Sequence, residues 1–420
     1  MCQSSYSCHR LRPLWTCATI IAMCVWPLVA PSVARSEGLS LDSCIVRARA
    51  HHPDLRAADR EVEAARARLG QAGAFEAPSL SFDAGKRGTP VSKDEHETAL
   101  RLSQELGTPG GRGRAKEVAR VQVAIVEANR ESFVLQLRGQ VTRAYRRLQT
   151  DALTVGALES LRRTVADLEK MVHARLRTGR GRYLDVLRAR SERARIENDA
   201  VEALRALRED RRMLNTLMAR GPDEPLEASD SLAFVPLADS LPAIIPAALA
   251  NRPRLRAARL EVARGESQLG LARNSLRPSA SVSAGLDRVP GSDRPGLGGG
   301  ISLSLPFAPW TDRRARISEA RAAKGGAQAR LEGAERAVEL VLRNAFESAR
   351  TAERQVQQFD RVLLADASDA IRTATQNYQA GQIDGLELFE TLRTFRSIEL
   401  EYIRARLNYE LALTDLAVAE

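Results

Sequence analysis

The chain has 420 residues, a formal net charge of +10, 28% charged side chains and only 4% aromatic ones. So small an aromatic payload argues against an ordinary globular core, and the abundance of Ala, Leu, Arg and Glu argues for long helices. The positive charge does not point to nucleic acid, because Arg and Glu are mixed along the chain as on solvated helix faces.

Residues 1–34 read as a secretory signal peptide. His9, Arg10 and Arg12 make a basic start, Leu14 to Ala30 an apolar run, and Ser32-Val33-Ala34 a small-residue cleavage site. The run is short for a membrane anchor. A lipoprotein signal at Cys24 is the other alternative, opposed by bulky Met23 before it and further apolar residues after it. Four of the five cysteines lie in this leader. Cys44 alone is left, which excludes a disulfide framework or a thiolate metal site in the mature chain. His51 and His52 are adjacent and face apart on a helix, so they do not share a metal. No HExxH, GxSxG, Walker or correctly flanked GxGxxG pattern occurs. Gly298-Gly299-Gly300 leads into a strand-like run and not a helix. The sequence predicts no catalytic residue, no metal site and no cofactor.

A repeat organises the rest. His51 to Gly85 and Asn251 to Gly285 align without gaps at an offset of 200, with 15 of 35 positions identical. Pro53 matches Pro253, Leu55-Arg56-Ala57-Ala58 matches Leu255-Arg256-Ala257-Ala258, and Ala84-Gly85 matches Ala284-Gly285. The chain is a tandem duplication. It divides into the leader, a first repeat over 35–220 with a β-hairpin near 77–106, a Pro- and Asp-rich linker over 221–240, and a second repeat over 241–420 with a hairpin near 277–307.

Each repeat has the same expected order. A helix is broken or kinked near Pro53 or Pro253. Two strands joined by a Gly/Pro/Asp-rich turn follow, then a very long helix, a Gly turn and a returning helix. The strands alternate with period two. Leu80, Phe82 and Ala84 oppose Ser79, Ser81 and Asp83; Thr98, Leu100 and Leu102 oppose Arg101 and Ser103. Val282 and Ala284 oppose Ser281 and Ser283; Ile301, Leu303 and Leu305 oppose Ser302 and Ser304. Strands of about ten residues suit an outer membrane crossing. The long helix from Gly110 to Arg177 would run about 100 Å at 1.5 Å per residue. Its seam Leu158, Leu161, Val165, Leu168, Val172 steps by 3 and 4, as does Ala349, Ala352, Val356, Phe359, Leu363 in the second repeat. In each repeat the two shorter helices together are about as long as the long one, so they could stack end to end along it, although a break at Pro53 cuts the first repeat's sum from 70 to 57 residues against 68.

Four membrane strands cannot close a barrel, and open sheet edges are not tolerated in lipid. Several copies must therefore share one barrel; three would supply twelve strands and leave a lumen.

The leader, the duplication, the paired hairpins and the long helices together resemble the TolC-type outer-membrane efflux proteins, over essentially the whole mature chain. Arg175-Leu176-Arg177-Thr178-Gly179 running into Tyr183-Leu184-Asp185-Val186, and Tyr378-Gln379-Ala380-Gly381 running into Glu387-Leu388-Phe389-Glu390, look like that family's helix–turn–helix tips. Leu102-Ser103-Gln104-Glu105-Leu106 with Gly110-Gly111-Arg112, and Leu303-Ser304-Leu305-Pro306-Phe307, look similar to its heavy-metal branch.

The resemblance implies a mixed α and membrane-β fold: a coiled-coil helical tunnel continuous with a trimeric, twelve-stranded outer-membrane barrel. It implies a homotrimer that docks a periplasmic adaptor and a proton-driven inner-membrane pump and acts as a passive exit duct without a cofactor. Asp185 and Tyr378 match a tip pair that hydrogen-bonds in the closed state. Glu387 and Glu390 match an acidic pair at the constriction. The family's tip arginine falls at Ile383, so its ion pair is missing. Adaptor docking maps to Arg177, Thr178, Gly179 and Arg180 on one tip and Ala380, Gly381 and Gln382 on the other. An outlet for type I protein secretion is the rival within the same class. A periplasmic coiled-coil scaffold without a barrel is the rival from a different class. No Met or His cluster names a cargo.

Overall fold

Long stretches without an interior proline, rich in Ala, Leu, Arg and Glu, favour helix, and helices dominate the computed structural model. It describes residues 37–87, 95–238, 240–288, 295–305 and 310–419. The expected leader and the Pro306-Phe307 pair lie outside these residues.

The order is β1 (Glu37–Leu39), α1 (Leu41–His51), α2 (Pro53–Ala72), β2 (Ser79–Arg87), β3 (Glu95–Gly107), α3 (Gly111–Arg177), α4 (Tyr183–Leu217), β4 (Leu226–Ala228), α5 (Leu241–Asn251), α6 (Pro253–Asn274), β5 (Ser279–Arg288), β6 (Gly296–Ser304), α7 (Trp310–Gln358), α8 (Leu364–Ala380) and α9 (Gly385–Ala419). The duplication is visible in the backbone: α1 and α5, and the starts of α2 and α6, keep the sequence offset of 200. The expected breaks fall at His52 and Arg252, both extended, because the residue before a proline is pushed out of the helical region.

The 67 residues of α3 form the axis of the first repeat, and α1, α2 and α4 pack along it. In the second repeat α5, α6 and α9 pack along α7. The end-to-end stacking read from helix lengths is thus present, but α6 and α9 also pack on α3, which joins the repeats. Leu158, Leu161, Val165, Leu168 and Val172 are all buried in one cluster with Ile371, Tyr378, Leu388 and Phe389.

The second long helix differs from the expectation. A π-helical turn over Phe359–Leu363 separates α7 from α8. Ala349, Ala352 and Val356 are buried as the 3–4 stepping requires, but among the described side chains the next buried positions are Ala367, Ile371, Ala374 and Tyr378. One additional residue in the turn resets the seam, so that packing resumes one position later than a strict heptad would have it.

Residues 226–237 run against α3, α7 and α9. β4 pairs in parallel with β1. Tyr145 Oη donates to the Leu39 carbonyl (2.9 Å) and accepts from the Asp230 amide (3.2 Å). Further along, Tyr409 Oη donates to the Val235 carbonyl (2.6 Å), and Arg350 and Glu353 bond the carbonyl and amide of Leu237 at 3.0 and 3.2 Å. These bonds satisfy an irregular strand that would otherwise leave polar backbone against the core. Beneath it Cys44 is fully buried, and desolvation pushes its thiol up to about 11, which makes it inert packing.

The other four strands form one antiparallel sheet in the order β2-β3-β5-β6. Leu80 lies opposite Leu102, Phe82 opposite Leu100, Leu100 opposite Leu286, and Val282 opposite Ile301. The period-two faces expected from the sequence therefore coincide across all four strands. One face carries Leu80, Phe82, Leu102, Leu297, Ile301 and Leu303, all at least half exposed; the other carries Ser79, Ser103, Ser283 and Gly300 in one row. Such an apolar band on a soluble sheet would aggregate, whereas in a bilayer it is the lipid face. No helix of the described residues is long and apolar enough to cross a membrane.

Two predictions follow from this architecture. Leu100→Arg or Leu303→Arg should reduce the yield of assembled oligomer far more than Ser103→Arg or Ser304→Arg, because a cation on the lipid face costs about 2–4 kcal/mol at mid-membrane and little on the inner face. Gel mobility of unheated samples would measure it, and equal tolerance would refute the register. The second concerns Asp151 of α3, which faces Asp210 of α4. Burial, then the Asp210 carboxyl, pushes Asp151 up to about 7 against the pull of Arg147. The folded chain thus holds a proton that the unfolded chain releases near pH 4, so this contribution is full below about pH 4 and is lost as pH rises through 7. Asp151→Asn should therefore raise the melting temperature at pH 8 by at least about 2 °C and not at pH 4.

Candidate gate at the helix tips

The two helix–turn–helix tips are built alike. α3 ends at Arg177, with Thr178 as its C-cap, and Gly179 takes a left-handed φ of 70°. α8 ends at Ala380, and Gly381 takes a left-handed φ of 82°. Only glycine adopts this backbone without strain, which is why each helix reverses there. Arg177, Thr178, Gly179, Arg180, Ala380, Gly381 and Gln382 are all exposed.

Just inside the turns, side chains from all four helices meet. Asp185 in the first turn of α4 and Tyr378 in the last turn of α8 are only 3% and 2% exposed. Tyr378 Oη donates to Asp185 Oδ2 at 3.4 Å, a long bond. Arg188 approaches Asp185 Oδ1 at 3.3 Å. Burial, then the Asp185 charge, pushes the Tyr378 phenol above its ordinary range, so it stays a donor. Gly385, the first residue of α9, lies directly against the Asp185 carboxyl; a Cβ there would collide with it. A glycine is required for α9 to start so close to α4.

The pair expected to meet does meet, but its supports were not read from the sequence. Arg175 stacks its guanidinium 4.5 Å from the Tyr378 ring centre, donates to the Tyr378 carbonyl, and donates to the Arg180 carbonyl at 3.2 Å. One side chain therefore ties both turns together. Two turns deeper, Glu192 of α4 is 1% exposed and is clamped by Arg195 at 2.9 Å and by Arg393 of α9 at 2.6 Å, with Arg396 at 4.0 Å. The signal was present as Arg at i+3 from Glu192 and again at i+3 from Glu390, but that spacing recurs throughout this chain and marks nothing by itself.

Glu387 and Glu390 are not brought to the Asp185–Tyr378 pair. Both are exposed on α9. Glu390 pairs with Arg393 at 2.6 Å, so its charge is partly offset, while Glu387 makes no ion pair among the described residues. Ile383, where the family's arginine would fall, packs against the tip core. Among the described residues no group of three or more His, Cys, Asp or Glu could hold a metal ion.

Comparison with known proteins finds relatives over most of the chain. The cobalt-zinc-cadmium resistance protein CzcC of Cupriavidus metallidurans is 22% identical over 378 residues, which cover 87% of this chain and 86% of CzcC. Protein CyaE of Bordetella pertussis is 27% identical over 358 residues, covering 78% and 72% of the two chains. Among solved structures, the outer-membrane channel OprN shares the fold with a TM-score of 0.78 at 21% identity, over 92% of each chain. Residues 44–220 and 244–419 match the outer membrane efflux protein family, and the chain belongs to that family.

Proposed function

We propose that this chain is one protomer of a homotrimeric duct that crosses the outer membrane and the periplasm, and that it performs no catalytic step of its own. The observation that carries this reading is the four-stranded sheet. Its outward face is apolar, its row of serines faces the other way, and the outer edges of β2 and β6 have no partner among the described residues. Three copies joined β6 to β2 would satisfy every edge and enclose a polar lumen. The helical body below would continue that lumen. The helix tips would meet a periplasmic adaptor and, through it, a proton-driven inner-membrane pump. CzcC is named for cobalt, zinc and cadmium resistance; in this chain any choice of cargo would rest with the pump.

Within this reading Asp185, Tyr378, Glu387 and Glu390 form the periplasmic gate. Arg175 takes the part of the arginine missing at Ile383, since it holds the second turn from the first. Threefold symmetry turns Glu387 into a ring of three carboxylates, with Glu390 a weaker ring behind it because of Arg393. A ring of like charge at a narrow mouth attracts cations and resists anions.

Detergent-extracted mature protein should run as a trimer and form discrete channels in planar bilayers; a monodisperse monomer with intact β signal would sink the duct. In the same bilayers the Glu387→Gln, Glu390→Gln variant should lose cation preference and be blocked less by multivalent cations, with Glu387→Gln accounting for most of the change. An unchanged reversal potential in a salt gradient would show that these glutamates do not line the mouth.

A further inference from the structure

Pairing register fixes what each level of the inner sheet face presents. From the helical end outward, one row carries Ser79, Ser103, Ser283 and Gly300. The next carries Ser81, Arg101, Gly285 and Gly298, and the one beyond it Asp83, Ala99, Asp287 and Gly296. Successive rows on one face lie roughly 6.6 Å apart, since a strand rises about 3.3 Å per residue. Charge on this face is therefore layered, with a lone guanidinium at one level and two carboxylates at the level outside it. Among the described side chains of these strands, the remaining charge on the same face is Glu105, two rows inward of Arg101.

The sheet itself does not call for a cation at Arg101. Duplication supplies the comparison: Ser81 faces Arg101 in the first hairpin, and its counterpart Ser281 faces Ser302 in the second. A serine serves at the equivalent position, so the charge is an addition to one copy. Nor is that charge neutralised. Asp83 and Asp287 are diagonal neighbours of Arg101, an arrangement that sets residues about 7–8 Å apart and within reach of a long side chain. Arg101 nevertheless makes no ion pair among the described residues. Asp287 leans toward β6, where its Oδ2 lies 3.6 Å from the point a Cβ on Gly298 would occupy. Arg101 is exposed, and the next two places in its row are glycines, which put no side chain over it.

We infer that Arg101 is a selectivity-determining residue of the duct: three copies form a guanidinium ring across the barrel that opposes free cations and admits small anions, with Asp83 and Asp287 as a carboxylate layer just outside it. This rests on the trimeric duct proposed above. Threefold symmetry sets the three Arg101 side chains at one height. Closure of β6 on β2 brings only glycine and serine to the inner face from the next copy, so the ring keeps its charge. In a lumen walled by low-dielectric protein, a ring of one sign governs which ions pass. A cation arriving from outside is gathered by Asp83 and Asp287 and then meets the opposing ring. The duct thus carries filters of opposite sign in series, glutamates at the periplasmic mouth and Arg101 in the outer membrane. Solutes without net charge cross both, whereas bare multivalent cations are opposed at the second.

The test uses the full mature trimer in planar bilayers under a potassium chloride gradient. Wild type must first form discrete channels; their absence would remove the duct and this inference with it. Arg101→Gln should raise the ratio of cation to anion permeability about threefold, most clearly at low salt where screening is weakest, and Arg101→Lys, which keeps the charge, should not. Asp83→Asn, Asp287→Asn should move the reversal potential the opposite way. Arg101→Cys gives a readout inside the assembled channel, because Cys44 is buried and inert. A thiol reagent that adds an ammonium group should return the reversal potential toward wild type, whereas one that adds a sulfonate should drive it further toward cation preference. Leu100→Cys, on the lipid face, should react with neither. Conducting channels whose reversal potential is unchanged by Arg101→Gln, and by either reagent at Arg101→Cys, would overturn the inference and leave the duct standing. Reaction at Leu100→Cys but not at Arg101→Cys would overturn it as well, by inverting the faces of the sheet.

Discussion

Lipid offers no hydrogen bonds to a peptide group, and that constraint governs the molecule. Among the described residues a single chain presents four membrane strands, and the outer edges of β2 and β6 have no partner. The apolar face of the sheet has no cover either. Both deficits are removed together when copies join edge to edge in a bilayer. A barrel shared among copies imposes its symmetry on the helices attached to it.

The helical body meets a different problem, which is to hold long helices in one register with few aromatic side chains. Part of the solution is buried carboxylates gripped by arginine from another helix. Glu192 of α4 is held by Arg393 of α9, and Glu410 of α9 by Arg146 of α3 at 3.0 Å. Burial pushes Glu410 above its ordinary range, with Arg146 and Arg406 pulling it back. Such pairs add little net stability, since desolvation opposes the attraction, but a helix slipped by one turn would leave a buried charge alone. They specify alignment. The strap of residues 226–237, bonded by Tyr145, Tyr409, Arg350 and Glu353, fixes the two repeats in a similar way.

Duplication explains why the two halves look alike, and divergence explains where they differ. The first long helix is continuous over 67 residues, whereas the second carries a π turn at Phe359–Leu363. The first tip is basic and poorly capped; the second is capped by Asp384. The tip core is nevertheless shared, with Arg175 and Asp185 from one repeat and Tyr378 and Gly385 from the other. Neither repeat could build that site alone.

Much of this was written in local pattern. Period-two alternation placed Leu80 with Phe82, Leu100 with Leu102, and Ile301 with Leu303 on one face of their own strands, because a strand leaves side chains no other choice, and the pairing register brought those faces together. The 3–4 stepping placed Leu158 to Val172 in a buried seam, and the glycines at 179 and 381 marked the turns. The pairing of Asp185 with Tyr378 came from family likeness and not from spacing, since 193 residues separate them. What no local pattern carried was the choice among equivalents. Arg at i+3 from Glu is common here, so nothing distinguished Arg393, which grips a buried glutamate, from arginines that merely face water. Nothing in the sequence around Arg175 showed that it would reach a tyrosine 203 residues away. The π turn was hidden because helix propensity does not register one additional residue; only the partner helices, whose packing must stay in phase, decide where it goes. Local sequence determined the elements and their faces through backbone geometry, and tertiary packing decided which charges meet because that depends on distances no single element contains.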